Sequence, residues 1–244
     1  MDRAYQLVRQ AAAHGSLSAT DQLRVLGRDQ FDKRPWLEQI HLEPVAESPP
    51  IFVVENFLPA PVCDWLVERA LRKGMRAALV YTSDGQKGIQ PDRNNTISGF
   101  VKTEGDLVVQ LVSRRIARAT GTPLDNHEPL AVFRYTRGQE YKPHFDFADP
   151  GAPEGGNYAD ESARFGMRMA TVLVYLNDNY EGGETSFPRL SWQFRGRKGD
   201  ALIFWSVPIG GKPDRNSLHA GKPVTSGAKW LLSQWIRQKP FPLG

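Results

Sequence analysis

The chain has 244 residues, 40% hydrophobic and 24% charged, with 31 basic against 27 acidic side chains and a net charge of +4; that suffices for one large buried core with appendages. A single cysteine, Cys63, excludes an intrachain disulfide framework, and apolar runs such as Thr171 to Leu176 and Trp230 to Trp235 are strand-length, too short to span a bilayer. The basic excess is mild and scattered, with short clusters such as Arg114-Arg115 and Arg195-Gly196-Arg197-Lys198, so neither nucleic acid nor membrane is expected as a partner.

The opening Met1-Asp2-Arg3-Ala4-Tyr5-Gln6 lacks the basic head and apolar stretch of a secretory signal, and together with the lone cysteine this predicts a cytoplasmic location. Residues 1 to about 40 have helical character. Ala11-Ala12-Ala13 favours helix, Gly15 and Ser16 break it, and a second helix restarts over Ser18 to Leu26 with Ser18 or Thr20 as cap. Residues 1–45 are expected to form a helical arm packed on a catalytic domain over 51–244. His14 and His41 have no partner at ligand spacing and are assigned to the surface or to structure. Glu43 to Pro50 is polar and proline-bearing, a linker or an edge segment, and Ile51-Phe52-Val53-Val54 begins the main domain.

A helix follows from Ala60 to Lys73, with Cys63 as a buried structural thiol. Val80 to Arg93, mixing Gly, Asp, Ser and Gln, predicts a mobile loop near a site entrance. Leu107 to Thr120 predicts a second helix, ended by Gly121 and Pro123. From there to Arg237 the pattern is β-type runs separated by turns. Helices first and then eight or so strands predict a mainly β fold, a double-stranded jelly-roll barrel buttressed by helices. Asp149 to Arg164 is placed as a lid between two of those strands.

Within the β region, His144 and Asp146 stand two apart in Tyr141-Lys142-Pro143-His144-Phe145-Asp146-Phe147. On a strand, positions i and i+2 share a face, so both can reach one ion while Phe145 points away. A third ligand must come from another strand, and His219 in Ser217-Leu218-His219-Ala220-Gly221 supplies it. Two imidazoles and one carboxylate are the ligand set of non-haem Fe(II) oxygenases, which leaves coordination positions open for co-substrate and oxygen. Lys229 then opens the apolar run Trp230-Leu231-Leu232-Ser233-Gln234-Trp235-Ile236. Lys229, Leu231, Ser233, Trp235 and Arg237 share a parity, which places Lys229 and Trp235 toward one lumen. A buried lysine needs an anionic partner. The dicarboxylate 2-oxoglutarate is such a partner.

From Ile51 to Arg237 the chain resembles the prolyl 4-hydroxylase-like branch of the Fe(II)/2-oxoglutarate dioxygenases. The resemblance rests on the block from Phe133 to Asp146, on Arg168-Met169-Ala170-Thr171-Val172-Leu173-Val174-Tyr175-Leu176-Asn177-Asp178, and on Glu181-Gly182-Gly183-Glu184-Thr185-Ser186-Phe187-Pro188. Lys198-Gly199-Asp200-Ala201-Leu202-Ile203-Phe204 and Ser217 to Val224 complete it. It implies Fe(II) on His144, Asp146 and His219, with 2-oxoglutarate and molecular oxygen as co-substrates and ascorbate as a reductant. It implies that Lys229 and Tyr135 hold the distal carboxylate of 2-oxoglutarate, that Thr185 lines the same pocket, and that Glu128, Tyr141, Arg168 and Trp235 lie near the substrate. Arg237 departs from other polar groups that members carry there, which leaves the far end of the substrate open. A carboxylate at Asp146 argues for hydroxylation, because related halogenases carry a small residue at that position.

The resemblance implies hydroxylation of a prolyl residue in a peptide or protein, with release of succinate and carbon dioxide. The alternative on the same scaffold is a free amino acid or other small metabolite. A non-catalytic binding module stands third, since His144, Asp146, His219 and Lys229 are all present.

Overall fold

The structure, a computed structural model, describes residues 1–78, 80–81, 87–88, 92–101, 104, 106–147, 156–208 and 210–242. Helices α1 (Asp2–Ala13) and α2 (Leu17–Leu26) form a hairpin. The cap of α2 is Ser16, whose hydroxyl accepts from the Ala19 amide at 3.3 Å. It precedes both expected caps because the chain turns at Gly15 (φ +88°) and Ser16 is already extended, the backbone state a capping residue requires. After a short α3 (Arg34–Leu37), strands β1 (Pro44–Glu47) and β2 (Pro50–Val54) pair antiparallel, so the segment from Glu43 to Pro50 is a sheet edge.

Helix α4 (Ala60–Lys73) buries Val62, Cys63, Trp65, Leu66 and Ala70, and desolvation pushes the Cys63 thiol up to about 12, as befits an inert core sulfur. Short strands β3 (Arg76–Ala77), β4 (Val80–Tyr81) and β5 (Lys87–Gly88) precede β6 (Thr96–Phe100). Most of the entrance loop expected over Val80 to Arg93 lies outside the described residues. Helix α5 (Leu107–Thr120) ends on Gly121 in the left-handed region.

The β region contains β7 (Leu130–Thr136), β8 (Tyr141–His144), β9 (Arg168–Tyr175), β10 (Tyr180–Gly182), β11 (Thr185–Phe187), β12 (Trp192–Phe194), β13 (Ala201–Trp205), β14 (His219–Gly221) and β15 (Val224–Arg237). The first half of the expected lid, residues 149–155, lies outside the described residues; the second half falls in a helix, α6 (Gly156–Phe165). A large sheet runs in the order β1-β2-β13-β9-β15-β7-β6-β3, with β10 also paired to β15, and a smaller sheet runs β12-β11-β14-β8. These two antiparallel sheets make the double-stranded β-helix. Among the described residues no helix is long and apolar enough to cross a membrane.

The strand period sorts side chains into two cores. From β7, Leu130 and Val132 join the helices while Ala131, Phe133 and Tyr135 join the second cluster with Phe187 of the smaller sheet. From β9, Ala170, Val172 and Val174 go one way and Leu173 and Tyr175 the other; from β13, Ala201 and Ile203 separate from Leu202 and Phe204. The first core also takes in Tyr5, Leu23, Leu26 and Trp36 of the N-terminal segment, so the arm shares the main hydrophobic body. A one-residue slip of any central strand would exchange the two sets.

Ile203 is 0% exposed between β2 and β9, whereas Leu17 is 82% exposed. Ile203→Ala is expected to lower the unfolding free energy by about 2–5 kcal/mol, and Leu17→Ala to change it by less than about 0.5 kcal/mol. Urea denaturation of the two variants measures the contrast.

Candidate metal and co-substrate site

Strands β8 and β14 pair antiparallel with His144 directly opposite His219. Their ring centroids are 4.3 Å apart, and Asp146 follows just past the end of β8. One potential ligand atom from each of His144, Asp146 and His219 lies within 4.8 Å of the others. Asp146 Oδ1 is 3.9 Å from His144 Nε2, and Oδ2 is 3.5 Å from His219 Nε2.

The hydrogen bonds around the three groups set which atoms face one another. His144 Nδ1 is 2.8 Å from the Lys142 carbonyl and His219 Nδ1 is 3.0 Å from the Ser217 carbonyl. A carbonyl can only accept, so each Nδ1 carries the proton and each Nε2 presents a lone pair. The Asp146 carboxylate accepts from Thr171 Oγ1 at 2.6 Å and from the Trp235 indole Nε1 at 3.0 Å. Burial pushes the His144 imidazole down to about 3, with a smaller contribution from His219. Burial alone would raise the Asp146 carboxyl, but the two imidazoles, Arg168 and the Thr171 hydroxyl hold it below the usual carboxylate range. A neutral His144 and an ionised Asp146 are the states that bind a cation.

On the other side of the lumen, Lys229 is opposite Tyr135 in the β15–β7 register and 2% exposed. Its Nζ donates to the Gly183 carbonyl at 2.6 Å and lies over the Tyr135 and Tyr175 rings, 5.7 and 5.2 Å from their centroids. Gly183 has φ +67°, and a Cβ there would come within 3.2 Å of the Lys229 Cδ, so the turn that receives the lysine calls for glycine. Burial lowers the Lys229 ammonium to about 7, with Glu184 acting weakly in the opposite sense, and raises the Tyr135 hydroxyl to about 12, which keeps it a donor. Thr185 is buried with its hydroxyl 2.9 Å from that of Tyr175.

A cavity open to solvent joins the two halves. Tyr135, Tyr141, His144, Asp146, Thr185, His219, Lys229 and Trp235 all line it, as do Leu231 and Ser233 on the shared parity of β15. Tyr141 stacks on the His144 ring with centroids 3.4 Å apart. Arg168 and Glu128 do not line it. Arg168 lies over the Trp235 ring, 3.9 Å from its centroid, and forms a two-pronged ion pair with the buried Glu128 at 2.7 and 2.9 Å. Arg237 also leaves the lumen. The β15–β9 register shifts between Ile236 and Arg237, and this bulge breaks the alternation that held from Lys229 to Trp235.

Three groups at the site carry no assignment from the sequence. Thr171 had a legible signal, a hydroxyl in an apolar strand. Ser233 was placed toward the lumen by parity, but its buried hydroxyl, without a hydrogen-bond partner among the described residues, is evident only in three dimensions. Arg93, read as part of a loop, is buried with its guanidinium carbon 4.6 Å from the Phe133 centroid and 4.7 Å from that of Tyr141; local sequence carried no sign of it.

These features fit an iron with a dicarboxylate co-substrate. The donor set is nitrogen and carboxylate with matched protonation, the buried ammonium has a carbonyl but no carboxylate within ion-pair distance among the described residues, and the Ser233 hydroxyl offers a further donor in the same space.

Residues 130–237 match the 2OG-Fe(II) oxygenase superfamily. The chain is 34% identical over 243 residues to probable prolyl 4-hydroxylase 3 of Arabidopsis thaliana, covering 90% of this chain and 77% of the relative. It is 35% identical to prolyl 4-hydroxylase 1 of the same plant, with 81% and 72% covered. A solved structure of a viral collagen prolyl hydroxylase from Paramecium Bursaria Chlorella virus-1, in complex with 2OG, superposes with a TM-score of 0.56 at 30% identity over 79% of this chain and 98% of that one. The chain belongs to the prolyl 4-hydroxylase-like branch of the 2OG-Fe(II) oxygenases, and is an iron- and 2-oxoglutarate-dependent dioxygenase.

A Lys229 ammonium held near 7 in the free protein has a definite consequence for co-substrate binding. A bound carboxylate favours the charged form, so binding above pH 7 takes up a proton, and binding at pH 6 takes up almost none. The dissociation constant of 2-oxoglutarate for the oxygen-free iron protein is expected to rise roughly tenfold per pH unit above about 7.5. Lys229→Arg should bind more weakly but without that slope, because a guanidinium does not titrate in this range. Calorimetry in buffers of different ionisation enthalpy counts the protons; an unchanged slope in Lys229→Arg would place the titrating group elsewhere.

Proposed function

We propose that the protein hydroxylates a prolyl residue in a peptide or protein, with His144, Asp146 and His219 holding the iron and Lys229 and Tyr135 holding the distal carboxylate of 2-oxoglutarate. The observation that carries this is the single cavity with the ligand triad on β8 and β14 and the buried Lys229 on β15. Bound iron with 2-oxoglutarate and oxygen supplies the oxidant, one oxygen atom leaving in succinate as carbon dioxide is lost and the other entering a substrate C–H bond as hydroxyl. The protein's part is position and exclusion of water.

The two Nδ1–H bonds to backbone carbonyls fix the imidazoles so that both Nε2 atoms face Asp146. Thr171 and Trp235 each hold one oxygen of that carboxylate, which limits its rotation. Lys229 presents a charge-assisted donor and Tyr135, kept protonated, a second hydroxyl donor. Thr185, anchored by Tyr175, closes the wall beside them. Phe133, Leu173 and Leu231 line the space with apolar surface that keeps it dry. Tyr141 and Trp235 offer aromatic faces on the triad side, suited to the compact, apolar pyrrolidine ring of a prolyl residue. Arg168, stacked on Trp235, supports that wall. The kinship with plant prolyl 4-hydroxylases and a viral collagen prolyl hydroxylase supports the choice of substrate.

Succinate release measured against proline-containing peptides, free amino acids and small metabolites, with the product mapped by mass spectrometry, tests the substrate. Turnover is expected with peptides and a gain of one oxygen on proline. Turnover with a free amino acid alone would overturn the peptide assignment. His219→Ala is expected to lose iron binding and all coupled turnover, and full succinate production by that variant would remove the ligand assignment.

A further inference from the structure

Arg237 is 0% exposed, yet its guanidinium is fully engaged on three sides. Nε donates to Glu128 Oε1 at 2.6 Å, Nη1 to the Gly166 carbonyl at 3.0 Å, and Nη2 to Glu161 Oε2 of helix α6 at 2.8 Å. Glu128 Oε1 is shared with Arg168 Nε, so one carboxylate oxygen serves two guanidiniums. Arg168 in turn lies over the indole of Trp235, and that indole donates to Asp146. The backbone repeats the link, with the Glu128 amide donating to the Trp235 carbonyl at 2.9 Å. An unbroken series of contacts therefore runs from Glu161 on α6 through Arg237, Glu128, Arg168 and Trp235 to Asp146.

Two arginines and two glutamates balance in charge, and each guanidinium makes directional, planar contacts that a lysine could not reproduce. A buried ion-pair network is by itself weak evidence of added stability. The bulge that turns Arg237 out of the lumen is what lets it reach α6, so this end of β15 clamps a helix and the lumen-facing part lines the cavity.

We propose that Glu161 and Arg237 are positioning residues that hold Arg168 against Trp235, so that the docking of helix α6 sets the orientation of the Asp146 carboxylate at the metal. This rests on Asp146 being an iron ligand. The first variant is Glu161→Gln, which removes a charge at a partly exposed side chain and leaves the core intact. The second is Arg237→Lys, which keeps the charge but cannot span the three partners. Trp235→Phe removes the indole donor while keeping an aromatic ring.

Fe(II) dissociation constants are measured without oxygen, alongside the visible spectrum of the Co(II)-loaded protein and the melting temperature. Glu161→Gln and Arg237→Lys are each expected to weaken Fe(II) about three- to tenfold and to shift the Co(II) bands. In the Trp235→Phe background neither should weaken it further, because their effect passes through the indole. Wild-type Fe(II) affinity and spectrum in both variants would overturn the proposal. Full additivity with Trp235→Phe, or a fall in melting temperature with no spectral change, would do the same. Those outcomes leave the ligand assignment standing; it fails separately, if His219→Ala binds iron as tightly as the unaltered protein.

Discussion

The hydrogen bond from the Trp235 indole to Asp146 joins the two sheets at the point where chemistry is required. Trp235 belongs to the long strand of the large sheet, and Asp146 follows the ligand strand of the small one. Apolar packing between the two sheets is non-directional, whereas this hydrogen bond, like those from Thr171 to Asp146 and between Tyr175 and Thr185, has a direction. With it, the carboxylate is referenced to the strand that also carries Lys229. Thr171, from the neighbouring strand β9, holds the other oxygen of Asp146, so the carboxylate is gripped twice from the large sheet.

Lys229 shows the opposite economy. A buried ammonium with a carbonyl and two aromatic faces for company is poorly compensated, and its depressed basicity expresses that. The fold tolerates the cost because β15 is held by β7, β9 and β10 over fourteen residues. In the proposed assignment, a dicarboxylate entering the lumen relieves what the protein alone cannot. The preference for an anion therefore comes from a destabilised site in a rigid strand, not from a general positive field, consistent with a net charge of only +4.

What could be read from the sequence was whatever depends on period. The spacing of His144 and Asp146, and the shared face of Lys229, Leu231, Ser233 and Trp235, follow from strand alternation, and the cavity collects them. Helices α4 and α5 were legible from their apolar spacing and terminal glycines. Arg237 departed from its parity because a bulge depends on the partner strand, which no local pattern reports. Arg93 reaches the aromatic wall through tertiary folding of a segment that has no regular pattern, so nothing in its neighbours distinguishes it from a solvated arginine. The cap of α2 moved to Ser16 for a similar reason: Ser16, Ser18 and Thr20 are all chemically suitable, and the choice is made by where the backbone turns.

The distribution of these groups over the fold has a mechanistic sense. The three proposed metal ligands and Lys229 stand on, or one turn beyond, paired strands whose positions are set by ladders of backbone hydrogen bonds. Groups behind the aromatic wall differ in origin. Arg93 comes from a segment before β6 that makes an isolated antiparallel bridge to Tyr141 of β8, and Glu161 comes from a helix between two strands. The charged chain from Glu161 to Trp235 links two such regions. It crosses from helix α6 into the paired strands, and so gives a peripheral helix a mechanical hold on the carboxylate that the chemistry requires.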